Sequence, residues 1–212
     1  MTGTTDARRW LGDRIPFRLT GPEPDDATVA RAGEPQRHGD LDGVVAAVAR
    51  ALRTLHDLDP AAAPLPTGWD DLERTIELEG IETLEPPVEL AAPYDRYSLA
   101  DLRSIWVGGR PATEDLVVCH GRATLDRFWV ATEPNSDGRV EVTALGDAER
   151  FRVADRHLDL AVVQQSLLAV YGFEAVVLFY EHYGTDPDML RLDHYVLAGL
   201  LLDGPITSAS DG

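Results

Sequence analysis

The chain has no lysine: all 19 of its basic residues are arginine, set against 37 acids. Chemistry that needs a titratable amine, or a lysine to anchor phosphates, is therefore excluded. A single cysteine, Cys119, rules out a disulfide framework and a CxxC-type metal site, and its place in the apolar run Leu116-Val117-Val118-Cys119 predicts buried packing. No apolar run approaches the roughly 20 residues needed to cross a bilayer, and the first seven residues have neither a basic start nor an apolar stretch. The expectation is a soluble, cytoplasmic protein with no membrane partner. A formal net charge of −18 repels nucleic acid phosphates and anionic membranes, so no nucleic acid partner is expected. It favours a cationic small molecule or a basic protein, although solubility alone explains a charged surface.

What is present fits one domain of ordinary size, because 212 residues suffice for a sizeable core. Residues 1–40 are rich in Pro, Gly, Asp and Arg and read as a vestigial N-terminal segment. Their one amphipathic piece is Trp10, Leu11, Ile15, Phe17 and Leu19. Asp40 is placed to cap a helix whose apolar residues Leu41, Val44, Val45, Val48, Leu52, Leu55 and Leu58 recur at helical spacing until Asp59-Pro60. Shorter helices are predicted over 69–78 and 98–107. Between Asp57 and Asp101 twelve acids face only Arg74 and Arg96.

Residues 116–119 predict a strand running into His120-Gly121-Arg122. Residues 127–132 and 140–145 predict a hairpin turning at Asn135-Ser136-Asp137-Gly138. Helices follow over 158–170, 173–182 and 187–202, broken at Gly172 and Gly184, before a flexible tail over 203–212. The domain itself is placed at 41–202.

Three stretches carry a likeness in order and spacing: Ala51-Leu52-Arg53-Thr54-Leu55-His56, then Glu114-Asp115-Leu116-Val117-Val118-Cys119-His120-Gly121, then Val153-Ala154-Asp155-Arg156-His157-Leu158-Asp159. The chain resembles the aminoglycoside phosphotransferase family, especially its 3'-kinase branch. The resemblance implies an α+β, mainly helical fold: the C-terminal lobe of a protein-kinase-like fold, with a shortened N-terminal lobe.

The family's first loop reads His-Gly-Asp with an asparagine five residues on; the aspartate positions the acceptor hydroxyl and the asparagine holds magnesium. Those slots are Arg122 and Arg127 here. Arginine stays protonated and offers only donors, so neither role can be filled. The resemblance matches Asp147 to the family's second metal ligand and Arg150 to an arginine three residues later. It implies that Asp147 pairs with guanidinium groups where magnesium would sit. The phosphate lysine and the GxGxxG loop are missing from the sequence, and Gly199 and Leu200 align with the family's antibiotic-binding acids.

Base, metal amide, phosphate lysine and substrate acids thus fail together. Because phosphotransfer depends on positioning and charge neutralisation, most of its rate should be lost.

The remaining constellations have plainer readings. His120 and Cys119 are strand neighbours facing opposite ways, so a thiol dyad is not expected and His120 should hold the loop. His157, Asp159, His182 and His194 lack a metal-ligand spacing and read as structural. Asp126 and Glu149 flank the substituted positions and could restore an acid to the groove, although an ion pair would make either a weak base. Tyr94, Tyr97 and Trp106 suit a cationic or aromatic ligand but serve as packing more often.

The expected groove is lined by His120, Arg122, Asp126, Arg127, Asp147, Glu149 and Arg150, with no cofactor and no metal. Its function reads as non-phosphorylating: a small-molecule-binding or repurposed catalytic scaffold, suited to natural-product biosynthesis. An atypical ATP-dependent phosphotransferase and a regulatory pseudokinase with a protein partner are the alternatives. Apolar surface left by a missing upper lobe must be reburied, by a homodimer or by a cap made from residues 8–40.

Overall fold

A computed structural model describes residues 3–19, 28–83, 90 and 92–205. The helical periodicities resolve into α1 (Gly3–Gly12), α2 (Leu41–His56), α3 (Trp69–Glu79), α4 (Leu99–Gly108), α5 (His157–Tyr171), α6 (Phe173–Tyr183) and α7 (Met189–Asp203). The strands are β1 (Arg18–Leu19), β2 (Val29–Arg31), β3 (Leu116–Cys119), β4 (Phe128–Ala131), β5 (Val142–Leu145) and β6 (Arg152–Asp155). This is the α+β, mainly helical arrangement expected of a kinase-like lobe.

In α2 the apolar stripe is buried along its length, with Val45, Val48, Leu52 and Leu55 fully enclosed. It packs on α6, while α5 packs on α7. Asp40 does stand at the N-cap position of α2, but its side chain makes no capping hydrogen bond. Its carboxylate lies over Gly43 instead, where an added Cβ would come within 2.5 Å of Asp40 Oδ2. The α2 helix also ends at His56, two residues before Leu58. Gly172 and Gly184, with φ of 84° and 79°, break the chain between α5, α6 and α7 in a conformation that side chains disfavour.

The β4–β5 hairpin is the centre of a four-stranded sheet of order β1-β5-β4-β2, and β3 pairs antiparallel with β6 in a separate ribbon. The outer strands come from the front of the chain: β2 is antiparallel to β4, and β1 is parallel to β5. Leu11, Ile15, Phe17 and Ala32 join the same core as the helices. The described parts of the front segment thus bury their own apolar residues in the helical core, while residues 20–27 of the expected cap lie outside the described residues.

Trp69 and Trp106 stack at 4.3 Å, with the His194 ring 5.4 Å from Trp69. Trp106 is thus packing between α3, α4 and α7, and Tyr97 is exposed. Ser98 and Asp101 form a reciprocal capping box at the start of α4.

Candidate functional site

The loop after β3 is held from beneath by one fully buried carboxylate. Asp159, in the first turn of α5, accepts the His120 backbone N–H at 2.7 Å and the Gly121 N–H at 2.9 Å. His56 Nε2 lies 3.1 Å from the same carboxylate, and His56 Nδ1 lies 2.7 Å from the Tyr183 hydroxyl. Burial would raise the Asp159 carboxyl, but the bond and charge of His56 and the contacts with His120 keep it below its ordinary value.

The Arg122 N–H donates to His120 Nδ1 at 3.2 Å, so His120 Nε2 carries the proton that reaches the Gly146 carbonyl at 3.0 Å. Burial lowers the His120 pKa and keeps this neutral tautomer. Gly121 turns the loop at φ 83°, and an added Cβ there would lie 2.3 Å from the Arg150 carbonyl oxygen. Only glycine fits so close an approach.

His120 is therefore a positioning residue. Cys119 Sγ points to the Ala154 and Asp155 carbonyls at 3.6 and 3.5 Å, so it forms no dyad with His120. His56, Cys119 and Asp159 bring ligand-type atoms within 4.8 Å of one another, but these atoms are already committed to the network beneath the loop.

The arginines sit above this platform. Arg127 Nε lies 3.0 Å from Asp147 Oδ2 and 3.3 Å from Asp126 Oδ2. These are ion pairs without an aligned N–H···O bond, because Arg127 Nε has no hydrogen-bond partner. Thr124 Oγ1 donates to Asp126 Oδ1 from the other side. Asp147 itself is left-handed, with φ 48° and ψ 46°. Among the described residues it is the only non-glycine with positive φ, a strained conformation of the kind that collects at functional sites.

Arg122 Nε lies 3.6 Å from Asp203 Oδ2, and Arg150 Nη2 lies 3.8 Å from Asp203 Oδ1. Arg150 Nη1 also donates to Glu79 Oε2 at 3.4 Å. Asp203 is the last residue of α7, so it belongs to the helix and not to the tail assigned from 203 onward. Burial raises its carboxyl, opposed by Arg122 and Arg150. Nothing local in the sequence marks Asp203; only the fold brings α7 back to the loop.

A cavity of about 630 Å³ opens beside these residues. Of the seven expected site residues only Arg122 and Asp126 line it, joined by Glu34, Tyr94 and Asp203, which the groove read from the sequence did not include. Gly199 and Leu200 stand in its wall, which puts the neutral replacements for the expected acids where a ligand would touch them. Glu149 lies elsewhere: its side chain is 60% exposed and, among the described residues, its one ion pair is to Arg8 at 3.9 Å.

The resemblance implies magnesium between Asp147 and the slot of Arg127. The residues present do not fit it, because a permanent cation already faces the Asp147 carboxylate and a guanidinium has no lone pair to offer.

Comparison with known proteins agrees with this architecture. The chain is 32% identical over 139 residues to an aminoglycoside 3'-phosphotransferase from Niallia circulans, covering 65% of this chain and 50% of the relative. It is 32% identical over 174 residues to a streptomycin 3''-kinase from Streptomyces griseus, covering 74% and 60%. The chain thus spans about half to three fifths of these relatives' length.

Among solved structures, a type VIII aminoglycoside 3'-phosphotransferase superposes with a TM-score of 0.71 at 26% identity, over 94% of this chain and 79% of that one. An aminoglycoside phosphotransferase from Streptomyces rimosus, solved with ADP and streptomycin, shares the fold at a TM-score of 0.71 and 21% identity, over 94% and 81%. No protein-family model matches the chain.

Proposed function

Because the chain belongs to the aminoglycoside phosphotransferase family, we propose that it keeps that family's lobe as a small-molecule-binding groove and does not transfer phosphate. The observation that carries this reading is the Arg127 Nε to Asp147 Oδ2 contact of 3.0 Å. Arg122 supports it from the neighbouring slot. A guanidinium that stays protonated cannot take a proton from an acceptor hydroxyl.

The ligand is a natural product, and the groove serves its biosynthesis or handling; relatives named for streptomycin and other aminoglycosides support this reading. The test is transfer of labelled γ-phosphate from magnesium ATP to streptomycin or kanamycin by the purified chain. No incorporation above a protein-free control is expected. Turnover in either acceptor would establish the ATP-dependent alternative.

The proposed assembly is a homodimer, supported by the exposed Leu168, Phe173, Val177, Met189 and Leu190. Leu168, Phe173, Val177 and Met189 line a second cavity of about 650 Å³ formed by α5, α6 and the start of α7, and Leu190 follows Met189 in α7. Light scattering at micromolar concentration should give twice the chain mass, and a monomer would count against this face as an interface.

A further inference from the structure

Two opposite charges with hydrogen-bonding capacity to spare among the described residues line the same cavity. Among the described residues Arg122 makes one ion contact, at 3.6 Å through Nε to Asp203, and Nε has no hydrogen-bond partner. A guanidinium has five N–H donors in a planar fork, so its terminal nitrogens remain available. Elsewhere in the lining, the half-buried Glu34 side chain has no hydrogen bond and no ion pair among the described residues.

The other charges at this wall are engaged. Asp126 has Thr124 and Arg127, Asp203 has Arg122 and Arg150, and Arg31 lies over the Trp129 ring at 5.0 Å. Much of the remaining lining is apolar, built by Ala161, Val162, Val170, Val196 and Leu200, together with Tyr94. Low-permittivity walls strengthen a charge pair and penalise a lone charge. A purely anionic occupant would leave Glu34 unpaired beside it; a purely cationic one would add a like charge beside Arg122.

We infer that the cavity takes a zwitterionic small molecule, with its carboxylate on Arg122, its protonated amine on Glu34 and its carbon chain against the apolar wall. This rests on the proposal that the groove binds a small molecule. The volume suits it, since ligand pockets run roughly 300–1,000 Å³.

The experiment titrates the full chain by calorimetry with ω-amino carboxylates from glycine to aminooctanoate, and with hexylamine and hexanoate as single-charge controls. One chain length should bind best, about tenfold tighter than either control, as expected for one added charged hydrogen-bond pair. Arg122→Gln and Glu34→Gln should each weaken that zwitterion about tenfold. Arg122→Gln should leave hexylamine unchanged, and Glu34→Gln should leave hexanoate unchanged, with circular dichroism confirming both folds.

If no ω-amino carboxylate binds better than its controls, or both variants bind it as the parent does, the inference is overturned. The same holds if a polyamine such as spermidine binds more tightly than every zwitterion. A parallel arm with magnesium ATP and streptomycin separates the two readings. Phosphate incorporation there would overturn the non-phosphorylating proposal while leaving the affinity comparison intact.

Discussion

Replacing Arg127 with asparagine should convert a site that repels divalent cations into one that binds them. Arg127 Nε is 3.0 Å from Asp147 Oδ2, and an ion on the opposite side of that carboxylate oxygen would sit roughly 2.1 Å from it. The guanidinium and the dication would then be about 4–5 Å apart, a repulsion of roughly 2 kcal/mol at the permittivity of water and roughly 7 kcal/mol at an effective permittivity near 20. The two side chains are 28% and 21% exposed, so water screens the pair and the lower end applies.

Arg127→Asn should therefore tighten manganese binding by about 2–3 kcal/mol, or roughly 30- to 150-fold. The asparagine carbonyl adds a further oxygen ligand. Manganese serves as the probe because its free and bound forms are separated by electron paramagnetic resonance. Wild-type protein should show no saturation below millimolar manganese, and Arg127→Asn should saturate well below it, with Asp147→Asn abolishing the gain. If wild type and Arg127→Asn bind manganese within threefold of each other, Arg127 does not block the site and the reasoning fails.

Removing the buried carboxylate in Asp159→Ala strands the His120 and Gly121 N–H groups. At about 1–3 kcal/mol for each unsatisfied group, urea unfolding should show a loss of roughly 3–5 kcal/mol, or no folded protein; a loss below about 1 kcal/mol would refute the platform role. Gly121→Ala should destabilise by more than about 1 kcal/mol, since its positive φ and the Arg150 carbonyl both oppose a Cβ. A melting temperature equal to the parent's would contradict that. The His120 pKa is lowered by burial from an ordinary 6.5, so the unfolded chain binds the extra proton first. The stability from neutral His120 is fully present above about pH 6.5 and declines as pH falls below it toward the lowered folded value. Urea midpoints from pH 7.5 to pH 5 should therefore fall on acidification, and this slope should be smaller in His120→Gln; an equal slope would assign it to other groups.

The helices were legible because their apolar residues repeat at 3.6-residue spacing: Val45, Val48, Leu52 and Leu55 are buried where the period placed them. Strand β3 and the β4–β5 hairpin were legible from short apolar runs and the Asn135 to Gly138 turn. The outer strands were not, because β1 has two residues and β2 three. Such short pieces become strands only through partners about a hundred or more positions away. In the site, motif spacing pointed to the Arg127 and Asp147 pair, whose members lie along the same loop and hairpin, whereas Arg122 finds its ion partner in Asp203 of α7. Asp203 and Glu34 carry no such signal, since each reaches the cavity through a packing of distant elements. Glu149 shows the converse: proximity in sequence placed it beside the groove, yet the short turn after Asp147 aims it outward.

The central claim is that this lobe no longer moves phosphate, and the most direct measurement is single-turnover incubation of the full chain with labelled magnesium ATP and streptomycin. The account predicts no labelled aminoglycoside and no ATP consumption above the protein-free rate, even at enzyme excess. Stoichiometric labelling of the acceptor, lost in Asp147→Asn, would contradict it.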